Sequence, residues 1–147
     1  MHTVKNNPAY RVTSCSYDLY KSGIQQVRQR VFVEEQGIDP RLEWDEHDAS
    51  AVFAVALDQD YRVIGTGRLL PQGKIGRMAV LPEYRLQGVG SALLEQLLQL
   101  ARQCGHSRVM LAAQQSVIGF YKKHGFESVG PPHSEAGIPH QNMQHTL

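Results

Sequence analysis

A leucine-rich helix that opens directly behind a glycine turn constrains this chain more than any other feature. Leu93, Leu94, Leu97, Leu98 and Ala101 recur at three- and four-residue steps, while Glu95, Gln96, Gln99, Arg102 and Gln103 fall on the opposite side. Such a stripe needs an apolar surface to cover it and predicts an amphipathic helix, with Gly105 as its cap. Immediately upstream, the β-rich run from Ile75 to Leu81 stops at Pro82, and Arg85, Leu86, Gln87, Gly88, Val89 and Gly90 form the turn between strand and helix. That order brings backbone N–H groups and the positive end of a helix dipole together, a site for an anion and for phosphate above all. Leu93 stands where a dinucleotide-binding turn needs its third glycine, and no Gly-Lys-Ser/Thr follows, so neither common nucleotide fingerprint fits. Two glycines ahead of a helix also serve as plain turn and packing residues.

The remaining chain supplies the surface. At 147 residues with 41% hydrophobic content it predicts one compact globular domain over positions 1–147. From Tyr10 to Ser16 apolar and polar residues nearly alternate, as in a half-buried strand. Between Leu19 and Val33 the positions Tyr20, Ile24, Val27, Val31 and Phe32 predict a helix, ended by Gly37 and Pro40. Residues 34–50 are acidic and turn-rich, which reads as a loop or short helix too polar for the core. Val52 to Leu57, Arg62 to Leu70 and Ile75 to Leu81 predict an antiparallel meander. Arg108 to Ala113 reads as a buried strand, Val117 to His124 as a short helix, and Phe126 to Val129 and Asn142 to Thr146 as further strands. The order β, α, β, β, β, α, β, α, β, β predicts a mixed α/β sheet with helices on its faces.

Several function classes recede on composition. With 15 Lys and Arg against 14 Asp and Glu the net charge is +1, which gives no broad cationic field for a nucleic acid. The longest purely apolar run, Ala51 to Leu57, has seven residues where a bilayer needs about 20, so no membrane span is expected. Met1 to Pro8 shows no secretory signal, and a cytoplasmic protein is expected. Cys15 and Cys104 form no C-x-x-C pattern and are expected to be reduced. The spacing of His47, His133, His140 and His145 matches no metal signature, so no metal is expected.

The strand residues Arg77, Met78, Ala79 and Val80, then Pro82, Tyr84, Arg85 and the Arg-x-x-Gly-x-Gly spacing resemble the acyl-CoA-binding signature of GNAT-type N-acetyltransferases. Ala113, Gln114 and Gln115, followed by Phe120, Tyr121, Lys122, Lys123, His124, Gly125 and Phe126, are similar to that superfamily's penultimate strand and Phe-Tyr-x-x-x-Gly-Phe segment. Val31 to Gln36 and Glu135 to His140 extend the resemblance to the bacterial ElaA-like branch, over nearly the whole chain. It implies a twisted, mostly antiparallel α+β sheet splayed at its centre, where two parallel strands part to admit a pantetheine arm.

The resemblance also implies roles. The backbones of Met78, Ala79 and Val80 would pair with the pantetheine amides, and an N–H near Ala79 or Val80 would polarise the thioester carbonyl. Arg85, Leu86, Gln87, Gly88, Val89, Gly90 and Ser91 would hold the pyrophosphate, with Gln114 and Tyr121 also at the cofactor. Tyr121 would act as general acid, its hydroxyl serving the departing thiolate of acetyl-CoA. Many relatives carry an acidic residue on the central strand where this chain has Gly76, Arg77 and Met78, so the base falls among Glu34, Glu35, Glu43, Asp45 and His140, or an ordered water. The acidic segment favours a cationic acceptor, a small molecule or peptide amine. Arg28, one helical step from Phe32, is a partner for an acidic loop residue. Two readings stand: direct acetyl transfer to a primary amine through a ternary complex, and a non-catalytic acyl-CoA-binding or sensing domain. Exposed sheet edges make a homodimer one available assembly.

Overall fold

The structure, a computed structural model, describes residues 9–147, so the N-terminal segment read for a secretory signal lies outside the described residues. Strands β1 (Tyr10–Ser16), β2 (Val52–Asp58), β3 (Val63–Leu69) and β4 (Ile75–Val80) pair antiparallel in the order β1-β2-β3-β4. A second sheet has β8 (Ile138–Thr146) at its centre, with β5 (Arg108–Gln114) on one edge and β6 (Glu127–Ser128) and β7 (His133–Glu135) on the other. The two sheets meet only where β4 and β5 begin. Lys74 bridges Met110 in parallel, and the Met110 N–H donates to the Gly73 carbonyl at 3.1 Å. Beyond that point β4 and β5 form no ladder, so the expected central splay is present.

Helices cover both faces. Gly67 on β3 faces α3 (Val89–Gln103): a Cβ placed there would lie 2.9 Å from Leu97 and 3.2 Å from Met78, so the helix seats against bare backbone. The predicted stripe, Leu93, Leu94, Leu97, Leu98 and Ala101, is buried on this face. Thr66 and Arg68 alternate to the other face, where α1 (Lys21–Arg28) lies. The expected helix over 19–33 is not a uniform α-helix: α1 continues as a π-helix, Gln29–Glu35. The wider turn, seen in the Gln36 N–H bonded to the Val31 carbonyl at 3.1 Å, lets the adjacent Val31 and Phe32 both reach the core.

The acidic segment is the main departure from expectation. It forms α2 (Pro40–Glu43) and a 3₁₀ turn at Glu46–Ser50, and Glu43 and Asp48 are buried, not solvated. Arg28, fully buried, donates from Nε to Glu43 at 2.6 Å and from Nη1 to Asp48 at 2.7 Å, as its position suggested. Arg68 donates to Asp45 at 2.8 and 2.9 Å and to Asp48 at 2.8 Å, while Arg77 reaches the Glu43 carbonyl and Asp45. Three guanidinium groups thus neutralise three carboxylates and staple the segment to β3 and β4. The proline-bounded stretch from Pro131 to Pro139 contains β7 and the start of β8, joined by a turn in which Ala136 and Gly137 both have positive φ.

Removing one member of a buried ion set leaves its partners uncompensated, at a cost of about 3–5 kcal/mol. Arg28→Leu should therefore lower stability by that order. Arg30→Ala, which breaks an exposed, solvent-screened pair with Glu83, should leave stability nearly unchanged. Urea midpoints at unchanged m-value measure both.

Candidate active site

The turn between β4 and α3 begins with a 3₁₀ turn at Pro82–Tyr84 and crosses Leu86 at φ 63° and Gly88 at φ 84° before the helix starts at Val89. Leu86 is fully exposed in this left-handed conformation, which costs an L-residue roughly 1–2 kcal/mol. Among the described residues, none of the N–H groups of Leu86, Gln87, Gly88, Val89, Gly90 and Ser91 donates to a backbone carbonyl; the first that does is Ala92, to Gly88 at 3.0 Å. Six successive free donors at the start of a 15-residue helix form an anion cradle. Packing does not require the second glycine, because a Cβ at Gly90 would meet only Phe120 at an ordinary 3.6 Å. The cradle fits a diphosphate, with Gly90 leaving room for its approach.

Arg85 is placed otherwise than as the cradle's cation. Its two terminal nitrogens each lie 2.7 Å from a Glu35 oxygen, and its Nε donates to the Val80 carbonyl at 3.0 Å. A bidentate carboxylate partner satisfies the fork and leaves it little to offer a phosphate. The same contact holds Glu35 below the ordinary carboxylate range, through the hydrogen bond from Arg85 first.

Above the cradle runs the free edge of β4. The Leu81 N–H donates to the Ile64 carbonyl on β3, so the N–H and C=O of the preceding Val80 face away from β3, into the gap. By the same alternation Ala79, opposite Thr66, turns its polar groups to β3, which selects Val80 of the two expected donors. Arg77, at φ 50°, sits in the bulge that breaks the β3–β4 register between Thr66 and Arg68, beside Met78.

Two candidate proton-handling groups stand on other elements. Tyr121 on α4 (Ile118–Lys123) is buried between Phe120 and Phe126, with ring centroids at 5.1 and 5.7 Å in edge contacts. Its hydroxyl has no partner among the described residues, and burial pushes its pKa up to about 12. His140 on β8 stands opposite Gln114 at the end of β5, and Gln114 donates to Gln36 at 2.9 Å just past the π-helix. The His140 Nδ1 lies 2.7 Å from the Ile138 carbonyl; a carbonyl only accepts, so in the neutral ring Nε2 carries the lone pair.

The other expected base candidates are placed differently. Glu43 is held by Arg28; burial drives its pKa above the ordinary value against the pull of Arg28 and Arg77. At Asp45 burial acts upward, but the hydrogen bond and charge of Arg68 and the charge of Arg77 prevail and hold it at about 2. Glu34 is exposed on the π-helix. Within the acidic segment Glu43, Asp45 and Asp48 are thus engaged by Arg28, Arg68 and Arg77, while Glu34 and Glu46 remain exposed. The cluster of Arg28, Arg68, Arg77 and Asp48 was not foreseen as a unit. Arg68 inside the apolar run from Val63 to Leu70 was its signal, since a strand cation buried on both faces requires carboxylates.

The likenesses agree with this geometry. Residues 19–147 match the acetyltransferase (GNAT) domain family. The chain belongs to that family. It is 36% identical over 121 residues to the uncharacterised N-acetyltransferase YjcF of Bacillus subtilis, covering 80% of this chain and 86% of that one. An acyl-CoA N-acyltransferase from Pseudomonas aeruginosa superposes with a TM-score of 0.82 at 31% identity, covering 93% and 99% of the two chains. Escherichia coli ElaA shares the fold at TM-score 0.82 and 24% identity, covering 92% and 99%. This GNAT protein is accordingly an acyl-CoA-dependent acetyltransferase. No helix among its described residues is long and apolar enough to cross a membrane, and none of its described residues forms a metal-binding cluster.

The Asp45 carboxyl carries a sign that can be tested. Its pKa is lower folded than unfolded, so its contribution is complete only above about pH 5 and is lost as pH falls through the unfolded value towards 2. Asp45→Asn should remove up to about 2 kcal/mol of stability at neutral pH and flatten the loss between about pH 5 and pH 3. Urea unfolding at those two pH values reads the difference.

Proposed function

We propose that this chain is an N-acetyltransferase that moves an acetyl group directly from acetyl-CoA to a primary amine within a ternary complex. The observation that carries the reading is the unpaired edge of β4 at Val80 running into six free N–H groups at the start of α3. An extended ligand with amides at one end and a diphosphate at the other satisfies both. Bound there, acetyl-CoA supplies the activated thioester. Every other part belongs to the protein.

The backbone of Met78 would pair with the pantetheine along the free edge of β4, and Gln87 to Ser91 would hold the diphosphate. The Val80 N–H is the donor assigned to the oxyanion; the carbonyl of the same residue, in the next peptide group, is held by Arg85, which anchors the strand at that position. His140 Nε2 is assigned as general base, taking the proton that the amine loses as it attacks. It lies on the side of the sheet shared by Gln36 and the π-helix, away from the helix that carries Tyr121. Tyr121 faces a thiol whose ordinary pKa is roughly 8.5, far below its own of about 12. It therefore stays protonated and stabilises the departing thiolate as a hydrogen-bond donor, with net proton return from the medium.

A hydrogen bond to a charged group contributes about 1.5–3 kcal/mol, so Tyr121→Phe should lower kcat about 10- to 100-fold with acetyl-CoA affinity little changed. Gly90→Glu should abolish acetyl-CoA binding while the thermal midpoint of the free protein stays close to that of the native chain. His140→Gln should lower kcat/KM for the amine while acetyl-CoA affinity is retained. Release of free CoA, followed with a thiol reagent across a panel of primary amines, decides the whole. Binding of acetyl-CoA with no amine-dependent turnover would leave a sensing domain in place of an enzyme.

A further inference from the structure

The cradle described above has six N–H donors but no cation of its own, since Arg85 is engaged by Glu35. One titratable group is hydrogen-bonded into it. Ser91, the third residue of α3, places its Oγ 3.1 Å from Nε2 of His124, and Nδ1 of the same ring lies 3.1 Å from Oε1 of Glu95. Ser91 and Glu95 are one helical turn apart on the same face of α3, so both reach the imidazole that closes α4. The His124 ring also packs on Phe120 at 5.1 Å and its side chain is 17% exposed. Glu95 is the charged group bonded to it. Lys122 and Lys123, its neighbours on α4, and His145 on β8, which faces the Gly125 carbonyl, are the other titratable groups of the elements that meet there.

The direction of each hydrogen bond follows from the donor inventory. A carboxylate accepts only, so Nδ1 carries a proton whatever the charge of the ring. In the neutral ring Nε2 is a bare acceptor, and the single Ser91 hydroxyl proton is drawn to it. Ser91 then turns lone pairs towards the cradle, which repels a phosphate oxygen. In the imidazolium Nε2–H donates to Oγ, and the hydroxyl proton is released to point elsewhere. Protonation therefore adds a positive charge and a hydroxyl donor to the cradle in one event, with Glu95 holding the ring in place for both states.

We propose that His124 is the cation of the diphosphate cradle, and that binding a diphosphate draws a proton onto its ring and turns Ser91 from acceptor into donor. The proposal rests on the acyl-CoA reading of the turn from Leu86 to Ser91. It makes cofactor affinity rise as pH falls, in a chain where the usual route, a permanently charged arginine, is closed.

Dephospho-coenzyme A is the suitable probe, because its diphosphate stays fully ionised over the range in which imidazoles titrate, whereas the extra phosphate monoester of coenzyme A does not. Calorimetric titration of the native protein at about pH 5.5 and about pH 8 should show affinity about tenfold tighter at the lower value, the scale of one charge-assisted hydrogen bond. Repeating the titration in two buffers of different ionisation enthalpy should show proton uptake on binding. His124→Gln should bind with the same affinity at both pH values, near that of the native protein at pH 8, and Ser91→Ala should narrow the native difference. Affinity of the native protein that does not change with pH, or binding without proton uptake, overturns the proposal even if no variant folds. Retention of the native pH dependence in His124→Gln does the same. Absence of binding at both pH values overturns the acyl-CoA reading itself, an outcome distinct from binding that is indifferent to pH.

Discussion

The parting of β4 from β5 is the constraint on which the rest of the structure depends. Two parallel strands that start side by side would ordinarily continue their ladder, because every unpaired N–H and C=O at a buried edge carries a desolvation cost. Here the ladder stops after Lys74 and Met110. The gap survives because each strand is secured on its far side: β4 by β3 over Gly65 to Leu69, and β5 by seven consecutive pairs with β8. Helices on both faces then brace the halves. Gln114 ties β5 to Gln36 on one side, and Phe120 with its neighbours sets α4 against the start of α3 on the other. The open edge is thus an enforced feature of the topology, held ready for a ligand that completes it.

The arginine and carboxylate cluster shows what this bracing requires on the α1 face. Burying three guanidinium groups and three carboxylates is expensive unless nearly every polar atom is met, and the cluster meets them densely, with the Nε of Arg68 alone left unpartnered among the described buried side-chain atoms. Its effect is positional. Arg28 belongs to α1, Arg68 to β3 and Arg77 to the bulge of β4, and all three converge on the short segment from Glu43 to Asp48. The short segment is thereby fixed to β3 and to β4, the strand that forms one wall of the gap. The charges of Glu43, Asp45 and Asp48 are met by these arginines, so composition alone is a poor guide to what the segment would attract.

How much of this could be read beforehand follows from the range of the interactions. The leucine stripe of α3, the turn at Gly88 and the meander of β2, β3 and β4 were visible because local periodicity and turn chemistry determine them. Tyr121 and the cradle residues were visible through the spacing of two motifs. The π-helix was not, since one extra residue per turn leaves the spacing of Ile24, Val27, Val31 and Phe32 compatible with an ordinary helix. β7 was hidden by Pro131, Pro132 and Pro139, which argue against a strand, although Pro139 occupies a pair with Ser134 near the sheet margin. The pairing of Arg85 with Glu35 spans fifty positions, and no local rule orders which of several acids an arginine will take.

That last pairing joins the two halves of the candidate site. One guanidinium grips Glu35 at the end of the π-helix with its terminal nitrogens and the Val80 carbonyl with its Nε. Fixing the Val80 carbonyl holds the rigid Val80–Leu81 peptide group, whose Leu81 N–H is bonded to Ile64, and so anchors the strand end beside the Val80 N–H. Arg85 also begins the turn whose later N–H groups form the cradle. The π-helix, the free edge of β4 and the anion site are therefore mechanically one unit. The residue that sequence reading placed on the phosphate acts in the structure as the strut that sets where an extended ligand would meet the protein.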